Sequence, residues 1–339
     1  QSKDYLVYRL CGKMDTTDLS DASHGGLMNL ETRQYDAEIF SGTGLDMGKY
    51  PQIHTSCEIA GRLTEEAACH LGLRAGIPVS VGGGDGACAN VGAGAAEPGT
   101  FYLSLGTTAW IAGPMREPFI DPKHRVFHMY TLDGNGCNVF GTAQCAGRSI
   151  SWAMDLFGIS TARAFDSAAA QTEPGAGGLI YLPYLEGERS PVFDALAQGV
   201  FFGINTTHKH EHFIRAVLEG VAMGLSQILE TFREREDIRS LRIIGGGAKS
   251  KLWKQIIADV CQVELLDVST FSDSATSLGA AAAAGVGIGL YRNLSEAVEN
   301  IRVSGSVTPR PEAVEQYALN KKRYAMLYPA LREAFWTRN

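Results

Sequence analysis

Asp85 follows three consecutive glycines, Gly82-Gly83-Gly84, and precedes Gly86 and a run of small residues. Glycines at such a point let the backbone approach a ligand closely. The turn they make holds a carboxylate at the carboxyl end of a strand, where α/β sheets bind ligands. A carboxylate there can accept the proton of a substrate hydroxyl during phosphoryl transfer, chiefly by orienting that hydroxyl. The bland alternative is that Asp85 only caps the helix after it, a position Asp favours. Taken alone that alternative is the commoner case; the neighbouring motifs reverse the order. Gly106-Thr107-Thr108 sits between two strands and offers backbone amides and hydroxyls that can wrap phosphate oxygens, although an ordinary hairpin turn reads the same way. Gly245-Gly246-Gly247-Ala248 follows a strand and precedes a helix, so its amides sit at a helix N-terminus with no side chain in the way of a phosphate or nucleoside. One carboxylate and two amide-rich turns suit a hydroxyl nucleophile meeting a phosphate. The chain has no GxxxxGK[ST] and no GxGxxG followed by an acid, which removes the P-loop and the dinucleotide fold.

Other candidates carry less. His208, His210 and His212 alternate, and on a helix that spacing scatters them over different faces, so no metal site is expected. Cys88 reads as a packed thiol. Glu186-Gly187-Glu188-Arg189 is a charged loop that pairs internally or acts at a domain closure. No Ser/His/Asp or Cys/His set has a local signature.

The elements that must position these residues follow from periodicity. Tyr5–Leu10 reads as a helix stopped by Gly12, Asp36–Phe40 as a short helix, and Thr16–Ser23 as a cluster of cap-forming residues. Thr64 caps a helix ending at Leu71, and Pro78–Val81 reads as a buried parallel strand. A small-residue helix runs from Gly86 to Gly94. From Thr100 three strands, Thr100–Leu105, Trp110–Ala112 and Val126–Thr131, read as an antiparallel meander. Helix Ala146–Leu156, segment Gly178–Tyr184 and a long helix His212–Phe232 come next. Strand Leu241–Ile244, helix Ser250–Cys261, strand Val263–Leu266, a loop and helix Ala275–Gly285 complete a mixed sheet with helices on its faces. Residues 309–339 read as one helix packed outside. The boundary between two units falls at Glu97-Pro98-Gly99, giving residues 1–97 and 98–339. An amphipathic helix so near Gln1 lacks a partner, which suggests a further segment N-terminal to it.

Composition narrows the partners. The 339 residues are 45% hydrophobic and 20% charged, with a net charge of −7. That is a globular composition with nothing to attract a nucleic-acid backbone or an anionic membrane. The apolar stretch Leu278–Leu290 is too short to span a bilayer. Seven cysteines without CxxC spacing point to a reducing compartment and buried thiols, and hence to the cytoplasm. A homodimer is left open.

In order along the chain, VSVGGGDGACANVGAG, EPGTFYLSLGTTAW, YLPYLEGERSPVFDALAQGVFFGI, RAVLEGVAMGL, IIGGGAKSKLWKQIIADV and SATSLGAAAAAG resemble the FGGY carbohydrate kinases, in particular the xylulokinase and gluconokinase-like branch. The resemblance covers nearly the whole chain. It implies an α/β, actin-like (ribonuclease H-like) fold: one complete C-terminal, nucleotide-binding domain preceded by the end of a second, sugar-binding one. It implies transfer of the ATP γ-phosphate to a sugar hydroxyl with Mg²⁺, the sugar being a pentulose such as xylulose, with gluconate, glycerol or another polyol as alternatives. By position it makes Asp85 the catalytic base and sets Thr107, within Gly106-Thr107-Thr108, on the ATP phosphates. Trp110 borders the sugar, and Gly147 and Ser151 contact the nucleotide. Gly246, Gly247 and Ala248 fall on the α-phosphate and adenosine, with Ser250 and Lys251 bordering the nucleoside pocket. Two departures stand out: Gly86 replaces a common amide side chain, and the family's N-terminal DxGTT motif does not precede Asp85. The chain by itself is therefore expected to be inactive, and a non-catalytic nucleotide- or sugar-responsive regulator of the same fold is the competing expectation.

Overall fold

The computed structural model describes residues 1–116, 118, 120–268 and 274–337. Helix α1 (Ser2–Cys11) ends at Gly12, whose φ of 78° lets the last turn close in the left-handed conformation. β1 (Thr16–Asp18), α2 (Leu19–His24), β2 (Met28–Asn29), β3 (Gln34–Tyr35), α3 (Ala37–Thr43), β4 (Gln52–His54), β5 (Ile59–Arg62), α4 (Glu65–Leu71), β6 (Pro78–Ser80) and α5 (Asp85–Gly92) follow. The strands form small pairs: β1 with β4 in parallel, β2 with β3 and β5 with β6 antiparallel. Thr64 caps α4 as its sequence predicts, accepting from the Ala67 N–H at 3.2 Å.

The buried parallel strand expected at Pro78–Val81 is corrected here. β6 is antiparallel to β5, and Pro78 is exposed. The burial belongs to Val81 alone, 1% exposed and already past the strand as the chain enters the glycine turn. A short apolar run does not encode the direction of its partner.

The chain goes on through β7 (Phe101–Leu105), β8 (Ala109–Met115), β9 (Phe127–Tyr130), β10 (Cys137–Ala143), α6 (Gly147–Phe157), α7 (Ala162–Ala169), β11 (Ile180–Leu182) and β12 (Val200–Phe202). It continues with α8 (His210–Arg233), β13 (Ser240–Ile244), α9 (Lys251–Cys261), β14 (Glu264–Val268), α10 (Ala275–Gly287), α11 (Leu294–Val298), β15 (Val303–Val307) and α12 (Pro311–Trp336). Seven strands make one mixed sheet in the order β15-β14-β13-β7-β8-β10-β9. The expected three-strand meander is also corrected: β10 inserts between β8 and β9 and pairs with both. All seven of its residues are buried, so it lacks the alternation that would have marked it.

One face of the sheet is covered by α8, whose Ile214, Val217, Leu218, Val221, Leu225, Ile228 and Leu229 are at most 1% exposed. Each such side chain contributes roughly 1.5–3 kcal/mol by leaving water. The other face carries α5 and α10, which touch through small residues. A Cβ on Gly279 would lie 1.9 Å from the Cys88 carbonyl oxygen, and one on Gly92 1.7 Å from that of Ala275. Only glycine permits that approach, and it fixes the helix that Asp85 begins. Helix α12 is less peripheral than expected, since it buries Tyr317 and Tyr324; Arg338 and Asn339 lie outside the described residues. The loop expected between β14 and α10 also falls largely outside them. Cys57, Cys88, Cys137, Cys145 and Cys261 are buried and free, whereas Cys11 is half-buried and Cys69 exposed. Among the described residues no helix is long and apolar enough to cross a membrane.

Candidate active site

Gly84, not Asp85, occupies the cap position of α5, so the capping explanation for Asp85 does not hold. Asp85 is the first helical residue and is exposed. Among the described residues its carboxylate accepts one hydrogen bond, from the Gly86 N–H at 2.7 Å. The rest of its acceptor capacity is open to a ligand. The turn beneath it is held by a buried polar network. Gly84 N–H donates to Ser20 Oγ at 2.8 Å, and Ser20 Oγ donates to Asp18. Asp18, 0% exposed, also accepts from the Ser20 N–H at 2.9 Å and from Ser56 Oγ at 2.7 Å, with Lys3 Nζ 3.0 Å away. Gly83 leaves no space for a Cβ, which would meet Leu132 Cδ2 at 2.3 Å. The cluster Thr16–Ser23 does cap α2, as expected, and also anchors the glycine turn, which its local pattern does not announce.

The two amide-rich turns lie at the carboxyl ends of adjacent parallel strands, since Ile244 of β13 stands beside Ser104 of β7. Gly106-Thr107-Thr108 is closed by the Gly106 N–H donating to the Thr108 carbonyl at 2.9 Å. The start of α6 docks on it: Ala146 and Arg148 N–H groups donate to the Thr107 carbonyl at 3.0 Å, and Gly147 N–H to the Gly106 carbonyl at 2.9 Å. Ser151 lies exposed one turn further along α6. Gly245 and Gly247 pack on Leu105, while a Cβ on Gly246 would meet nothing within 4 Å. The glycine run does not enter α9 directly; a short 3-10 turn, Gly246–Lys249, which includes Ala248, intervenes. Ser250 then caps α9, its Oγ accepting from the Trp253 N–H at 3.0 Å, and Lys251 is exposed at the first helical position.

A cavity of about 270 Å³ has Asp85, Thr108 and Trp110 in its lining. Trp110 is held in place by its Nε1–H, which donates to the Tyr102 hydroxyl at 2.7 Å. Gly106, Thr107, Gly147, Ser151, Gly246, Gly247, Ala248, Ser250 and Lys251 are outside that lining. Asp21, His24, Arg189 and Thr276 are inside it, and the sequence reading named none of them as site residues. They come from α2, the loop after β11 and the start of α10, so no local spacing joins them.

Burial, followed by the charge of Asp18, raises the pKa of Asp21 above the usual carboxylate range; Lys3 opposes this. Burial raises the carboxyl of Glu188 to about 7, against the amides of Gln144 and Arg189 that favour its charged form. Burial pushes the Cys88 thiol up to about 12, in keeping with a packed and unreactive group. Glu186 pairs with Arg148 at 2.7 Å, so the charged loop reaches α6 rather than pairing only within itself. Of the alternating histidines, His208 Nε2 lies 3.2 Å from the Gly177 carbonyl and His210 packs edge-on against Phe157. His212 Nδ1 accepts from the Lys209 N–H at 3.1 Å. Among the described residues no group of three or more His, Cys, Asp or Glu side chains is placed to hold a metal ion.

Residues 1–92 match the model of the FGGY family of carbohydrate kinases, N-terminal domain, and residues 101–288 that of the C-terminal domain. The xylulose kinase of Bacillus subtilis is 30% identical over 96% of this chain and 65% of its own length. The gluconokinase of Bacillus licheniformis is 29% identical over 93% of this chain and 63% of its own length. The chain thus spans just under two thirds of these relatives. Among solved structures, ligand-bound xylulose kinase from Lactobacillus acidophilus superposes with a TM-score of 0.93 at 27% identity, covering 98% of this chain and 68% of that one. Gluconate kinase from the same organism gives 0.92 at 27% identity, covering 97% and 67%. The mixed sheet and these neighbours establish the actin-like ATPase fold. The chain belongs to the FGGY family of carbohydrate kinases.

Proposed function

We propose that this chain forms part of an enzyme that phosphorylates a sugar hydroxyl with ATP, with a pentulose such as xylulose as the acceptor. The observation that carries the reading is the open carboxylate of Asp85 in a cavity it shares with Thr108 and Trp110. Asp85 orients the sugar hydroxyl and takes its proton while the oxygen attacks the γ-phosphorus, and Trp110 borders the sugar. The Gly106-Thr107-Thr108 turn with Gly147 and Ser151 receives the phosphates. Gly246, Gly247 and Ala248 lie along the α-phosphate and adenosine, with Ser250 and Lys251 at the nucleoside. The open space over Gly246 supports that path. The units divide at residues 97 and 98, within the gap between the two family matches.

The donor set fits a magnesium ion bound mainly through phosphate, because the cavity offers two carboxylates, Asp21 and Asp85, and no closed cage. Such an ion neutralises phosphate charge when bound. A sugar acid is the second reading, favoured by the gluconokinase and gluconate kinase among the relatives.

The test is a coupled assay of D85N against a panel of ketoses, aldonates and polyols, with calorimetry of ATP binding. The expected result is a loss of transfer of about 10²- to 10⁴-fold, the usual contribution of a general base, with ATP affinity retained. Undiminished transfer by D85N would remove Asp85 as the base. The preferred acceptor of the unsubstituted protein separates ketose from aldonate.

A further inference from the structure

Arg189 stands in the loop between β11 and β12, and it lines the same cavity as Asp85, Thr108 and Trp110. The loop is fixed from within. Glu188 and Asp194 exchange two backbone hydrogen bonds of 2.9 Å, Ser190 N–H donates to the Thr142 carbonyl at 2.9 Å, and the Arg189 carbonyl accepts from the Val192 N–H at 2.8 Å. Gly187, at φ 73°, presses on Ala195, whose Cα would lie 2.8 Å from an added Cβ. The backbone that carries the guanidinium is therefore tied to strand β10 and cannot easily withdraw from the cavity.

The acids of this loop are engaged elsewhere. Glu186 pairs with Arg148; the Glu188 carboxylate accepts from the Gln144 and Arg189 N–H groups, each at 2.7 Å. Asp194 accepts from the Tyr328 hydroxyl at 2.8 Å and from Trp336 Nε1–H at 2.9 Å. Among the described residues Arg189 forms no ion pair, and its Nε is buried without a hydrogen-bond partner. A buried donor left unmade bears the full desolvation of that group. The guanidinium that lines the cavity has no carboxylate paired to it among the described residues, and its planar fork matches phosphate with two parallel hydrogen bonds.

We propose that Arg189 binds the transferring phosphoryl group in the cavity it shares with Asp85; this rests on the kinase reading above. The sugar oxygen forms a bond to the γ-phosphorus of ATP, and the bond from that phosphorus to the β,γ-bridging oxygen breaks. ADP leaves with the electron pair, and the hydroxyl proton passes to the Asp85 carboxylate. Arg189 meets the charge on the equatorial phosphoryl oxygens during this step.

Inorganic phosphate titrated into the chain, followed by phosphorus NMR line broadening and calorimetry, tests the proposal without requiring turnover. R189Q is expected to weaken phosphate binding about tenfold or more, R189K to restore part of it, and D85N not to weaken it. Thermal unfolding of each variant identifies any that fails to fold, and R189K keeps both charge and bulk. In the transfer assay R189Q lowers kcat more than it raises the KM for the sugar. Phosphate binding by R189Q equal to that of the unsubstituted protein would overturn the proposal and leave Arg189 as a counter-charge to Asp21 and Asp85. Loss of gluconate binding alone in R189Q would overturn it too, by assigning the guanidinium to an acceptor carboxylate. Transfer by D85N undermines only the base, and the phosphate titration still decides Arg189.

Discussion

Gly147 lies against the backbone of Gly106: its N–H donates to the Gly106 carbonyl at 2.9 Å, and a Cβ on it would stand 2.6 Å from that same oxygen. The contact follows from strand register. Ala109 of β8 pairs with Ala143 of β10, which brings the turn before β8 beside the segment after β10. G147A must therefore move either the turn or the start of α6. The expected cost is about 1–3 kcal/mol of stability, as for overpacking elsewhere, accompanied by weaker ADP binding. Urea unfolding and ADP calorimetry on the same variant check both; an unchanged unfolding midpoint would show that the helix start yields freely.

Gly246 offers the contrasting case. An added Cβ meets nothing within 4 Å, and its φ is not in the left-handed region, so G246A is expected to unfold within about 0.5 kcal/mol of the unsubstituted protein. If the space above it receives the nucleotide, ADP affinity falls while stability stays. An unchanged affinity in calorimetry would place the nucleotide elsewhere.

These two glycines show what a sequence can and cannot disclose. The helix cap Thr64 and the apolar stripe of α8 were legible because each depends on residues a few positions apart. The glycine turns were legible as turns, yet their apposition was not, because it depends on the parallel pairing of β7 with β13, and the seating of α6 on the first of them depends on the pairing of β8 with β10. That strand was missed: with both faces covered it has no polar alternation to read. Asp21, His24, Arg189 and Thr276 reach the cavity from three separate segments, and only tertiary packing assembles them. Asp18 is the intermediate case. Its cap on α2 could be read locally, whereas its tie through Ser20 to Gly84 crosses 64 positions.

Glu188 makes the stability of this fold depend on pH in a direction opposite to that of most paired carboxylates. It is 5% exposed, and burial raises its pKa from 4.5 to about 7 despite two amide donors. The folded chain thus holds this proton more tightly than the unfolded chain does. The stabilising contribution is complete below the unfolded pKa of 4.5 and is lost as pH rises through about 7. Other groups, Glu219 among them, also titrate, so the comparison is with E188Q, which keeps an acceptor oxygen for Gln144 and Arg189 but has no proton to exchange. Moving from about pH 8 to about pH 6 should stabilise the unsubstituted protein relative to E188Q by about 1 kcal/mol. Urea midpoints of both proteins at the two pH values measure this directly. Parallel pH dependences would mean that Glu188 stays charged in the fold, its two amide bonds outweighing the loss of water.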